Sequence, residues 1–214
     1  MTEAGTGIDR TVPHSARIWN YWLGGKDNYQ VDRDAATTID AIYPRYGIKA
    51  RACRSFLFRA VRFLTVEEGV RQFLDIGTGL PTADNTHDVA QRFAPESTVV
   101  YVDNDPLVLA HARSLLTSSR EGLTRYIEAD LRNPDRIVDQ ARRWLDFQAP
   151  IGLLVLGVLG HLADYEQARS IVRQLLDALP SGSYLVQCDG TTTDASYVKA
   201  LEDYKQTGGV PYIA

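Results

Sequence analysis

The chain has 214 residues, 44% of them apolar and 23% charged, the composition of one globular domain or of a domain with a cap. Its formal charge of -4 gives no electrostatic reason to expect nonspecific nucleic-acid binding. The two cysteines, Cys53 and Cys188, lie far apart, and the four histidines (His14, His87, His111, His161) are scattered, so the spacing indicates neither a metal site nor a disulfide framework.

Residues 1–13 read as a loose arm; the polar start, Met1-Thr-Glu-Ala-Gly-Thr-Gly7, has no signal-peptide apolar region. From His14 to about Gly69 the pattern is helical. Within it, Ser15 to Tyr29 places Trp19, Tyr21, Trp22 and Tyr29 around Gly24-Gly25 and the charged pair Lys26-Asp27. Aromatic residues flanking glycines are read as a lid over a planar or cationic ligand, or as a hydrophobic cap on a sheet. Residues 47–66 carry the apolar set Ile48, Ala52, Phe56, Ala60, Phe63 and Leu64 at helical spacing. Lys49, Arg51, Arg54, Arg59 and Arg62 are interleaved with it and read as a solvated basic face, with contact to an anionic substrate as the alternative.

After Gly69 the chain alternates strand and helix. Arg71–Ile76 is an apolar strand that ends in Asp75-Ile-Gly-Thr-Gly79, where the glycines permit a tight turn and close approach of a ligand to backbone. A helix follows over 84–93. Thr98–Asp103 is a second strand, and Asp105-Pro106 opens a helix with Asp105 as N-cap and proline in the first turn. Thr124–Glu128 is a third strand, and Asn133-Pro134 repeats the cap-then-proline device. Ile151–Leu159, almost wholly apolar, is a fourth strand covered on both faces; it is the longest apolar run and too short to span a bilayer, and a cytoplasmic protein is expected. Asp164-Tyr-Glu-Gln167 reads as a capping box, Gly182–Cys188 as a fifth strand and Asp194–Lys205 as a final helix.

Five strands alternating with helices imply an α/β doubly wound parallel sheet, whose ligands bind beyond the carboxyl ends of the strands. Asp75, Asp103, Asp130 and Gly157 all fall at or just past such ends. A carboxylate at Asp75, two residues before Gly77, repels a pyrophosphate and attracts a cationic head, which points to S-adenosylmethionine (SAM) and against a dinucleotide. Thr82 also stands where a dinucleotide loop wants its third glycine. Asp103, 24 residues after Gly79, is placed to accept from ribose hydroxyls, with Asn104 beside the adenine. Asp130 is placed to accept from the adenine amine, and Leu131 to offer a backbone N–H and an apolar wall. Gly157 floors the reactive end. His161 is a general-base candidate for the acceptor, or a packing histidine.

Taken together, His14-Ser-Ala-Arg-Ile-Trp-Asn-Tyr-Trp-Leu-Gly-Gly-Lys-Asp-Asn-Tyr29, Phe73-Leu-Asp-Ile-Gly-Thr-Gly-Leu-Pro-Thr82, Asn85-Thr-His-Asp-Val-Ala-Gln91 and the stretch from Val99 to Arg113 resemble the actinobacterial S-adenosyl methyltransferase family (DUF574). The resemblance covers nearly the whole chain, and it accounts for Pro81 in the glycine loop. It implies a Rossmann-like class I methyltransferase with an N-terminal helical cap over 1–69 and a SAM-binding domain over 70–214. It carries the cofactor role to Asp75, Gly77, Thr78, Gly79, Asp103 and Asp130, and extends it to Tyr21, Gly25 and Lys26. S-adenosylhomocysteine (SAH) is the implied product and a small molecule the implied acceptor. Relatives differ after the fourth strand, where this chain reads Leu159-Gly-His-Leu-Ala-Asp164 and the histidine is shifted by one. Class I enzymes carry seven strands, so strands six and seven are expected to be missing; either the chain is truncated or another subunit covers the bare sheet edge, and a homodimer or marginal stability is expected. The competing readings are a SAM-binding regulator without turnover, an NAD-dependent oxidoreductase and a nucleic-acid methyltransferase.

Overall fold

A computed structural model describes residues 9–115 and 118–206. The helical N-terminal part resolves into three helices: α1 (Ser15–Trp22), α2 (Gln30–Ile42) and α3 (Tyr46–Val66). The alternating part follows as β1 (Gln72–Ile76), α4 (Thr86–Phe93), β2 (Thr98–Asp103), α5 (Pro106–Leu115), β3 (Leu123–Glu128), α6 (Pro134–Ala141), β4 (Gly152–Leu156), α7 (Tyr165–Asp177), β5 (Tyr184–Cys188) and α8 (Ala195–Gln206), with one 3-10 turn at Leu159–His161. The five described strands form one sheet in the order β3-β2-β1-β4-β5, and every pairing is parallel. Strand order reverses between β1 and β4, the switch point at which such sheets open a crevice.

Side chains alternate across the strands and divide the core in two. Leu74, Ile76, Val100, Val102, Leu153 and Val155 pack against Ile137, Val138 and Ala141 of α6 and Ile171 and Leu175 of α7. Phe73, Val99, Tyr101, Leu154 and Val186 pack on the other face against Leu57, Val61 and Leu64 of α3 and Val89 and Ala90 of α4. Asp75 lies between Leu74 and Ile76 and therefore faces the α3–α4 layer with Phe73. A third cluster joins Ile18, Ala35, Ala36, Ile39 and Tyr46 of the first three helices to Tyr197, Ala200, Leu201 and Tyr204 of α8. The last helix thus shares the core of the N-terminal helices.

The cap is organised by buried polar groups. Arg17 and Asp32, 3% and 0% exposed, form an ion pair at 2.9 Å. The Asp32 carboxylate also accepts from the backbone N–H of His14 at 2.9 Å and of Tyr29 at 2.8 Å, which ties both helix starts to one group. Asn20, buried in α1, accepts through Oδ1 from the Asp27 N–H at 3.1 Å and from Asn28 Nδ2 at 3.0 Å. A Cβ on Gly25 would stand 2.3 Å from the Asn20 amide, so the Gly24-Gly25 turn is built around this asparagine.

Several local readings shift. Asp105 caps α5 as expected, accepting from the Leu107 N–H at 2.8 Å. Asn133 makes no side-chain cap bond, and α6 ends at Ala141, which leaves Trp144 and Leu145 in the turns that follow. Asp164 accepts from the Glu166 N–H at 2.9 Å, one residue short of a capping box. The fourth strand stops at Leu156 because Gly157 turns with φ of 71°. On the β5 edge Leu185 is exposed. No helix among the described residues is long and apolar enough to cross a membrane.

Candidate functional site

The carboxyl ends of β1 to β4 open into a cavity of about 640 Å³, roofed by α1 and α3 and closed at one side by α8. Asp75, Gly77, Thr78, Gly79, Asp103, Asn104, Asp130, Leu131, Gly157 and His161 all line it. The parallel ladder continues into the turns and holds them in register. The Gly77 N–H donates to the Val102 carbonyl at 2.8 Å, and the Gly157 N–H to the Cys188 carbonyl at 2.7 Å. Gly77, Gly79 and Gly157 have φ of 73°, 64° and 71°, a region costly for residues with a Cβ. At Gly77 a Cβ would also strike Val158 at 2.4 Å, whereas at Gly79 and Gly157 it would enter open space. Those two glycines leave backbone bare toward the cavity.

Asp75 is buried and accepts from Thr86 Oγ1 at 2.6 Å. Burial pushes its carboxyl up to about 6, against the opposing pull of the Thr86 hydroxyl and the Arg54 guanidinium. A cation entering the cavity relieves the cost that raises it. Asp103 links two turns, accepting from the Gly79 N–H at 3.0 Å through Oδ2 and from the Asp105 N–H at 2.9 Å through Oδ1. Each oxygen retains a second lone pair, enough for a pair of hydroxyl donors. Burial raises its carboxyl as well, and those backbone N–H groups oppose the rise.

Asp130 stands in a small polar network at the far end. It accepts from Asn104 Nδ2 at 3.3 Å and from Arg132 at 3.3 Å, while Arg132 Nη2 donates to the His161 carbonyl at 3.0 Å. The loops after β3 and β4 are thereby joined. His161 is among the residues lining the cavity, at the end of the 3-10 turn.

Three expected contacts are not brought to this place. Tyr21, Gly25 and Lys26 are absent from the described walls; Trp19, Asn20, Trp22 and Leu23 of the same segment are present. Tyr21 and Lys26 point to solvent, and Gly25 serves the Asn20 turn. Conversely, Arg54 belongs to the wall, although the sequence places it on a solvated face with Arg51, Arg59 and Arg62, which are exposed. Its Nη2 donates to the carbonyls of Ala83 and Asp84 at 2.9 Å each, while its buried Nε has no hydrogen-bond partner. Helical periodicity alone gives no signal for this distinction. Arg132 was also missed; its position two residues after Asp130 was the available sign.

A doubly wound sheet with its switch point at β1/β4, an acid at the end of each of the first two strands and a helical roof define the Rossmann-like methyltransferase class. The S-adenosyl methyltransferase family model matches residues 1–214, and the chain belongs to that family of SAM-dependent methyltransferases. Two solved structures are similar to it. A DUF574 family protein from Streptomyces avermitilis is 43% identical, with a TM-score of 0.91, over 95% of this chain and 79% of its own. A candidate methyltransferase from Thermobifida fusca is 36% identical, with a TM-score of 0.87, over 100% of this chain and 80% of its own. No curated protein matches the chain. The residues present fit the cofactor: a buried carboxylate suits its cationic head, Asp103 suits the ribose, and the bare turns at Gly79 and Gly157 leave room for a ligand.

Proposed function

We propose that this methyltransferase acts on a small-molecule O- or N-nucleophile held beneath the cap, and that the strand-end residues hold the cofactor. The carrying observation is that one cavity joins Asp75, Gly79, Asp103 and Asp130 to an apolar roof of Ile18, Trp19, Trp22 and Leu57. Bound SAM would supply an electrophilic methyl carbon to an in-line nucleophile, with the neutral thioether of SAH as the leaving group.

In this reading Asp75 faces the ammonium of the amino-acid end. Arg54, with its unpartnered Nε and its charge near Asp75, takes the carboxylate. The two side chains together read a zwitterion. Asp103 accepts from the ribose hydroxyls, Asn104, Asp130 and Leu131 flank the adenine, and Thr78 and Gly157 border the thioether. The roof excludes water and orients the acceptor, which supplies most of the acceleration when the transfer needs no bond to protein. His161 is the base for an acceptor that arrives protonated. Tyr21, Gly25 and Lys26 act only through the shape of the cap. A second copy of the chain pairs at the β5 edge beside Leu185, which sedimentation at two concentrations checks.

Calorimetric titration with SAM, SAH and NAD, using wild type and Asp103→Ala, tests the cofactor half. Micromolar binding of SAM and SAH, no binding of NAD and a loss in the variant support the assignment. Equal binding by the variant overturns it.

A further inference from the structure

The chain's two cysteines, 135 residues apart in sequence, meet in the fold. Cys53 on α3 and Cys188 at the end of β5 place their sulfurs 3.7 Å apart, with the Cys188 S–H directed at Cys53. Both are reduced and half-buried. Cys53 is among the residues that line the cavity. Lys49 lies one helical turn before it, and Asp189 follows Cys188.

We propose that Cys53 and Cys188 form a peroxide-reactive dithiol whose oxidation to a disulfide staples the cap to the sheet and slows exchange of the cofactor. The step balances with a hydroperoxide as oxidant. The Cys53 thiolate attacks the peroxide, its sulfur takes one oxygen as a sulfenic acid, and the O–O bond breaks to release water or an alcohol. The Cys188 sulfur then attacks Cys53, the S–S bond forms, and the sulfenic hydroxyl leaves as water with the Cys188 proton. Two electrons pass from the thiols to the peroxide, and an external thiol reverses the change.

Geometry and chemistry agree. A disulfide requires about 2.05 Å between sulfurs, so closing the 3.7 Å gap needs a shift of roughly 1.7 Å. The Cys53 thiol is pulled down to about 7 by the Cys188 S–H and, less, by the Lys49 charge, against burial and Asp189, while the bond to Cys53 and burial push Cys188 up. Cys53, which lines the cavity and accepts the Cys188 S–H, is taken as the nucleophile and Cys188 as the resolving thiol. The location gives the bond its consequence. The Cys188 carbonyl accepts from the Gly157 N–H, so the staple joins α3 directly to the strand end that supports the turn at Gly157.

The test treats the reduced whole protein with equimolar hydrogen peroxide and maps the peptides without reductant. The expected result is one intramolecular Cys53–Cys188 link, loss of both titratable thiols, and a rise in Tm of roughly 5–15 °C that a thiol reductant reverses. Cys188→Ser is expected to trap a sulfenic acid on Cys53, with no rise in Tm; Cys53→Ser is expected to leave Cys188 unreacted. Cys53 oxidised to sulfinic acid while Cys188 remains alkylatable, or a link only between two chains, overturns the proposal. The exchange effect rests on the cofactor assignment above and is read as slower SAH release from oxidised wild type but not from oxidised Cys188→Ser. Equal release rates despite the link overturn the exchange role. Failure of reduced wild type to bind SAH overturns the cofactor assignment instead, and the peptide map still decides the dithiol.

Discussion

The strand-end wall and the cap face each other across one cavity, yet they are built by opposite means. The wall is backbone architecture: parallel ladders run on into glycine turns, and the acids at the turns keep capacity for a ligand. The cap is side-chain architecture, in which Arg17, Asn20 and Asp32 are buried and bonded to one another's helix starts and turns. In the segment from Trp19 to Tyr29, Asn20, Gly25, Asp27 and Asn28 build the cap turn, while Trp19 and Trp22 line the cavity. The glycine loop supplies the bare backbone and the acids on which the proposed cofactor contacts rest. Unusual residues in a sequence mark where the fold is hardest to satisfy as readily as where a ligand sits.

The sharpest way to break this contrast is to cut the cap network. Arg17→Ala leaves the Asp32 carboxylate buried with only two backbone donors, and removal of one partner from a buried ion pair costs about 3–5 kcal/mol. Urea unfolding of the variant should show that loss, with α1 and α2 losing hydrogen-exchange protection before β1 and β2. Uniform loss across the sheet would mean that cap and wall fold as one unit.

Asp75→Asn tests the wall with the opposite sign. Its carboxyl is raised to about 6 from an ordinary 3.8, so the folded state holds the proton more tightly than the unfolded chain. The resulting penalty on the ligand-free fold begins as pH rises past about 4 and is complete above about 6, with a size on the order of 3 kcal/mol. The amide removes it, and the ligand-free variant should melt higher than wild type at pH 8 and no higher at pH 4. SAM binding should fall about 100-fold, the weight of a buried charge-assisted contact. In wild type, SAM affinity should decline as pH drops below 6 and the carboxylate is lost. A destabilised variant with intact affinity would show that Asp75 is a structural acid.

What the sequence made legible follows the same division. Strand ends, the glycine turn and the acids beside it are local in the chain, and the parallel sheet converts that local order into one wall without further information. Arg54 was not legible because it shares its helix with three exposed arginines, and only the packing of α3 over β1 turns it inward. The Cys53–Cys188 pair was hidden for the same reason: its two partners meet through the placement of α3 against β5. Tyr21 and Lys26 were read as lid contacts because aromatic and charged residues beside glycines look alike whether they serve a ligand or a turn.

The smallest predicted effects come from two neighbouring positions and separate those two readings of the cap. Gly25→Ala places a methyl 2.3 Å from the Asn20 amide, which is held by Asp27 and Asn28 and has little freedom to yield. The expected cost is about 1–3 kcal/mol of stability, with SAM affinity reduced less than threefold once the protein is folded. Lys26→Ala, one residue on, removes an exposed charge and should change stability by less than about 0.5 kcal/mol and leave SAM affinity unaltered. Thermal melts and calorimetry on the pair decide the matter. If Lys26→Ala weakens SAM binding by more than threefold while its Tm holds, the segment touches the cofactor after all, and the cap closes further onto the wall when the cofactor binds. If only Gly25→Ala changes the protein, and does so through stability, the run from Gly24 to Asn28 is a folding device around Asn20.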